Sequence, residues 1–172
     1  MQAQVKSPKK IDERIKAMIA YLGLDEESGT FLKQRKETLF KPELDNCHIN
    51  NLVKQRLSGG AIVYGWVIGE DKLNDVVEAH FYSVWRDADG QLVDINPRPT
   101  MEKRLLFVPD ISRKVSYTSY SGRPAIITYE RVVMNCGQVI GGIKEKIFIP
   151  YSELIYEYGL AKKARPVLAT RP

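Results

Sequence analysis

Cys47, His80 and Asp94 have the types, order and separations that thiol-dependent acyl transfer requires. A thiol attacks a carbonyl only as its thiolate, and a free cysteine is mostly protonated at neutral pH. A helix N-terminus favours the anion through its macrodipole, and a neighbouring imidazole takes the proton. A carboxylate on the second ring nitrogen then fixes the tautomer and stabilises the imidazolium. Cys47 follows Asp45-Asn46, either of which can cap a helix. The unpaired N–H groups of that helix start would receive the oxyanion of a tetrahedral intermediate. Asn46 and Trp66 are further candidate donors or cleft walls, although Trp66 reads more naturally as core.

The elements that must position these residues are legible from periodicity. Ser7 as N-cap and Pro8 in the first turn open a helix whose Ile11, Ile15, Met18, Ile19 and Leu22 share one face, closed by Gly23. Residues 25–39 offer few apolar anchors and allow at most a second short helix. Beyond Pro42, a helix over 47–57 would bury Ile49, Leu52, Val53 and Leu57 and stop at Ser58-Gly59-Gly60. The apolar run 61–68 reads as a buried strand, and 69–75 as a loop. Residues 76–86 alternate, with Val77, Ala79, Phe81, Ser83 and Trp85 toward the core and Glu78, His80 and Tyr82 on the other face.

A hairpin loop at 87–90 would return 91–95 as the partner of that strand. Simple pairing sets Asn96 or Pro97 opposite His80, and only the Asn96 register puts Asp94 on the histidine's face. Asp94 is preferred as the imidazole partner because it brings charge assistance; Asn96 is the second choice. Glu78 and His48 are candidates for a substrate rim. His48 directly follows the cysteine and is expected to point away from the thiol. Further strands are expected at 105–108, 115–120, 125–133 and 147–149, one more near the glycines at 137–142, and a terminal helix over 151–158. Helices first and a strand meander after them predict an α+β fold with a mainly antiparallel sheet.

The order Cys, His, Asp resembles the transglutaminase-like branch of the papain-like cysteine hydrolases and acyltransferases. The stretch H-F-Y-S-V-W…D-G-Q-L-V-D-I-N-P, from His80 to Pro97, is similar to that family's H-x-W-V…D-G-x-W-x-x-x-D-P-T. It also resembles small bacterial and phage-type domains that read C-x-x-N, then G-G…Y-G-W, then E-A-x-F-H-x-V-W and D-I-T-P. In these patterns Thr stands where this chain has Asn96, and the histidine falls one or two places differently relative to its aromatic neighbours. The resemblance spans about residues 45–110. It implies a papain-like core and a cysteine peptidase, deamidase or transglutaminase-type activity on amide bonds, proceeding through a thioester. The rival expectation is an inactive protein-binding domain of phage or mobile-element origin, with tyrosines such as Tyr117, Tyr120, Tyr129, Tyr151, Tyr156 and Tyr158 at the interface.

Length and composition set the frame. A chain of 172 residues reads as one domain with basic tails over about residues 1–7 and 161–172. The net charge of +5 comes from 26 Lys and Arg against 21 Asp and Glu. Seven of the basic residues (Lys6, Lys9, Lys10, Lys162, Lys163, Arg165 and Arg171) lie near the ends, so the body is slightly acidic. That distribution argues against a folded nucleic-acid-binding face. With two cysteines and two histidines, neither CxxC nor HxxxH occurs, so no metal site is expected; the acyl-transfer chemistry needs no organic cofactor either. Cys136 reads as a space-filler. The N-terminus has no apolar signal region, and no apolar run is long enough to cross a bilayer, so a cytoplasmic location is the expectation; a protein or peptide substrate is what the resemblance implies.

Overall fold

In the computed structural model, which describes residues 4–100 and 102–160, the chain is α+β, with few helices and mainly antiparallel strands. The basic stretch 161–172 lies outside the described residues. Helix α1 (Glu13–Tyr21) is capped by Asp12, whose carboxylate accepts from the Arg14 and Ile15 N–H groups. Asp12 therefore takes the capping role expected of Ser7. Ser7 instead donates its N–H to Glu102, and Lys6 exchanges two backbone hydrogen bonds with Glu70. The chain from Lys6 to Ser7 is thus strapped to the sheet rather than being a free tail. Residues 25–39 yield one turn of 3-10 helix and strand β1 (Thr30–Lys33).

Helix α2 (Cys47–Ser58) ends where Gly59 and Gly60 adopt positive φ. A side chain at Gly60 would strike the Arg86 carbonyl, so glycine is needed there for space as well as conformation. Ile49 and Val53 are buried as expected, but Leu57 is exposed. Asn50 and Asn51 are fully buried instead, each with its amide N–H groups donated: Asn50 to the Glu43 carbonyl and Asn96 Oδ1, Asn51 to the Cys47 and Ser83 carbonyls. The helix is therefore located by polar ties as well as by apolar packing.

Strands β2 (Ala61–Asp71) and β3 (Val76–Arg86) form the long central hairpin, paired from Ala61↔Arg86 to Asp71↔Val76. The first strand runs on through Gly69, past the end expected at Ile68. Strands β4 (Leu92–Val93), β5 (Arg104–Pro109), β6 (Ser116–Tyr120), β7 (Arg123–Tyr129), β8 (Val132–Asn135), β9 (Gln138–Ile140) and β10 (Glu145–Phe148) follow, and a four-residue helix α3 (Leu154–Glu157) replaces the longer one expected. The main sheet has the order β1-β5-β2-β3-β8-β9, with β4 also on β3; β10-β7-β6 form a second sheet. The expected single strand over 125–133 is broken at Glu130-Arg131, and its halves join different sheets. One core cluster draws Ile15, Met18 and Ile19 of α1, Val53 of α2, Trp66 of β2, Phe81 of β3 and Ile126 of β7 together.

The edge of β3 opposite β2 is only partly covered. Strand β8 pairs with Val76 to Ala79 and β4 with Trp85 and Arg86. From His80 to Val84 no strand of the described residues lies alongside. The start of α2 closes on part of this gap.

Candidate functional site

Cys47 is the first residue of α2, with Asn46 at the cap in a non-helical conformation. The Asn46 side chain does not cap the helix; its amide donates to Glu43 Oε2 at 3.0 Å and to the Tyr151 carbonyl at 2.8 Å. Asn46 is thus an anchor rather than an oxyanion donor. Glu43 continues the anchor, its Oε1 accepting from the Ser152 hydroxyl and the Leu154 N–H. This network fixes the helix start against α3.

The surroundings of the Cys47 thiol favour its protonated form. Burial pushes the half-buried Cys47 up to about 12, and the nearby Asp94 charge pushes the same way. The Ser83 N–H and hydroxyl and the His48 N–H lean toward the sulfur and favour the anion, but the loss of solvation outweighs them. A helix start alone does not make a thiolate when the sulfur is withdrawn from water.

His48 turns inward, contrary to the rim position expected for it. It is buried, with Nδ1 3.0 Å from Ser83 Oγ and its ring between Tyr64 and Phe81, each at a centroid distance of 5.8 Å. Burial, helped by the Lys146 charge, holds it down at about 4, so it is neutral at physiological pH. The Tyr64 and Tyr117 phenols close the same space, both pushed up by burial.

His80 and Asp94 are not brought together. The His80 ring is half exposed and its Nε2 lies 3.1 Å from Glu78 Oε2, while Glu78 Oε1 faces Arg131 at 3.3 Å. Glu78 is thus the acid on the histidine and is itself largely buried, not an open rim residue. Asp94 is almost fully buried. Its Oδ2 accepts from Arg98 at 2.8 Å, and its Oδ1 from the Tyr82 hydroxyl at 3.1 Å, the Asn96 N–H at 3.0 Å and Asn96 Nδ2 at 2.9 Å. Asn96 also donates to the Ser83 carbonyl, so it supports the carboxylate rather than a histidine.

The cause is the hairpin. Asp87 Oδ1 accepts from the Asp89 and Gln91 N–H groups and holds Gln91 within the loop, so β4 begins at Leu92 and pairs Val93 with Trp85. The ladder then sets Asn96 toward Tyr82, two residues along from the register the histidine needed. Face parity is retained, and Tyr82 receives the carboxylate. Burial raises the Tyr82 phenol well above its ordinary value, and the charges of Asp94 and Cys47 add to this. It is a neutral O–H donor to Asp94 and lines the same cavity as Cys47. Set without gaps on Glu78 to Trp85, the pattern E-A-x-F-H-x-V-W has its histidine at Tyr82. That placement of Tyr82 on the Asp94 face was the available signal.

Trp66 is fully buried and donates its indole N–H to Asp110 Oδ2 at 2.9 Å, so it serves the core and offers nothing to an oxyanion. Cys47, His48, His80, Tyr82 and Asn96 all line one open cavity of about 540 Å³, with Lys6, Lys146 and Phe148 among its other walls. Among the described residues no His, Cys, Asp and Glu cluster has the arrangement of a metal site, and no helix is long and apolar enough to cross a membrane. Compared with family models, curated proteins and solved structures, the chain matches none.

Proposed function

We propose that this chain is a binding protein that holds a protein or peptide segment in the cleft of a papain-like, transglutaminase-like core without cleaving it. The observation that carries this reading is the Tyr82 phenol, which lines the same cavity as Cys47 and donates to Asp94 where acyl transfer requires an imidazole. A neutral phenol cannot take the thiol proton, and burial raises the thiol's own pKa. Arg98 donates to the other carboxylate oxygen, so the charge that would orient an imidazole is already matched by a guanidinium.

The test is the pH dependence of iodoacetamide labelling at Cys47 in wild type and in Tyr82→His. Wild type is expected to label slowly below about pH 9, more slowly than a free thiol of ordinary pKa about 8.5. Tyr82→His places a base between thiol and carboxylate and should speed labelling at neutral pH about tenfold or more. Fast wild-type labelling near pH 6 would sink the binding reading.

A second reading, cysteine-dependent acyl transfer, is favoured by one observation: His48 and His80 line the same cavity as Cys47. In that case either histidine would serve as base after substrate closes the cleft. Its requirement is that His80→Ala abolish turnover of an amide substrate while leaving substrate binding intact.

A further inference from the structure

The backbone of β3 alternates in direction. The Asp75 carbonyl receives Cys136 N–H, and the Ser83 carbonyl receives Asn51 Nδ2 and Asn96 Nδ2, so both point away from β2. By the two-residue period, the N–H and C=O groups of Val77, Ala79 and Phe81 share that direction. Val77 and Ala79 meet β8, Ser83 meets Asn51 and Asn96, and Trp85 meets β4. Phe81 is the one remaining: among the described residues its N–H and C=O have no partner, and both face the gap beside Cys47. The gap from His80 to Val84 spans about 17 Å at roughly 3.3 Å per residue. It opens into the 540 Å³ cavity.

Phe81 itself is fixed. Its ring packs on Trp66 at 5.1 Å and on Tyr129 at 4.9 Å, and β2 holds the opposite side of the strand. The donor and acceptor are therefore held in place before any ligand arrives, which lowers the ordering cost of pairing. The cavity walls supply apolar surface from Val5, Val67, Leu105 and Phe148. Two lysines, Lys6 and Lys146, line it without an ion-pair partner among the described residues, whereas Arg98 is taken by Asp94. On the acidic side stand Asp45 and Glu102, the latter engaged by Ser7.

We infer that the cleft binds an extended peptide segment which adds a short strand to β3 at Phe81, pairing through the Phe81 N–H and C=O. An apolar side chain of the segment fills the cavity, and an adjacent acidic one meets Lys146. This rests on the binding reading and names its ligand class. It is strand addition to an open edge, in which backbone bonds give affinity and side-chain pockets give preference.

The test uses the full chain labelled with isotopic phenylalanine, which reports on five amides. In the free chain the Phe81 amide should exchange far faster than that of Phe107, which lies inside the main sheet. The probe is a capped hexapeptide alternating glutamate and valine. It should slow Phe81 exchange about tenfold or more. The same peptide methylated on its backbone nitrogens, or a lysine–valine counterpart, should do so weakly or not at all. Lys146→Glu, an exposed substitution, should weaken binding several-fold. A Phe81 amide already protected in the free chain, no binding of the acidic peptide, or binding that leaves Phe81 exchange unchanged would each overturn the inference. Iodoacetamide labelling of the same sample reports separately on the binding reading itself.

Discussion

The two ends of the His80-to-Val84 gap differ in a way that explains the whole site. At the Ser83 end, His48 and Asp94 are buried, Cys47 and Tyr82 are half-buried, and hydrogen bonds tie His48 to Ser83 and Tyr82 to Asp94. At the His80 end, the imidazole is half exposed and shares Glu78 with Arg131. Burial keeps the thiol and the inner histidine neutral, and exposure leaves the outer histidine free of the thiol. A catalytic pair needs one base that is both near the sulfur and able to take a proton. Here His48 is buried next to the cysteine in sequence, and His80 is half exposed on Glu78.

The comparison breaks most severely at Asp94. Asp94→Ala would leave the Arg98 guanidinium, whose side chain is 5% exposed, without its carboxylate and would remove the acceptor for Tyr82 and Asn96. Breaking one side of a buried ion pair costs roughly 3–5 kcal/mol. Urea denaturation should show a loss of that order. A loss below about 1 kcal/mol would mean that the inner end relaxes freely, and that the contrast with the rim is not one of rigidity.

A somewhat smaller effect should appear as acid instability from His48. Its folded value of about 4 lies below the ordinary 6.5, so the unfolded chain binds more protons between those values. Stability is then fully present above about pH 6.5, falls as pH is lowered, and levels off below about 4. The loss is at most about 3 kcal/mol for a group so shifted. His48→Gln should flatten this limb of the pH–stability curve. Cys47 acts at the opposite extreme: its raised value withdraws stability only as pH rises above about 9. An unchanged acid limb in His48→Gln would show that the inner histidine is not the buried neutral group described.

Much of the frame was legible in the sequence because it depends on local rules. The alternation of 76–86 placed Val77, Ala79 and Phe81 in the main core, although the other face also buries Val84 in a second cluster, and Gly59-Gly60 marked the end of α2. What escaped were effects of single side chains acting over distance. Asp12 displaced Ser7 as the cap by its charge and its reach to two N–H groups. Asp87 shifted the hairpin register by holding Gln91 in the loop, and that slide moved Asp94 from His80 to Tyr82. Asn50 and Asn51 looked like the polar face of a helix and were instead its buried ties. Of the proposed site, Cys47 keeps its helix start and Asp94 keeps its face, while the residue that Asp94 holds is Tyr82 and not a histidine.

The smallest expected effect tests the outer end. His80 is exposed, and beyond Glu78 it has no hydrogen-bond partner among the described residues. His80→Ala should therefore change stability by no more than about 0.5 kcal/mol, the usual range for surface substitutions. It should also leave the Cys47 labelling profile unchanged at every pH, because burial rather than His80 sets that thiol. A profile that moved toward alkaline pH in this variant would mean that the two ends communicate in solution. The contrast between them would then be a property of the unliganded cleft alone, and His80 would regain its claim to be the base.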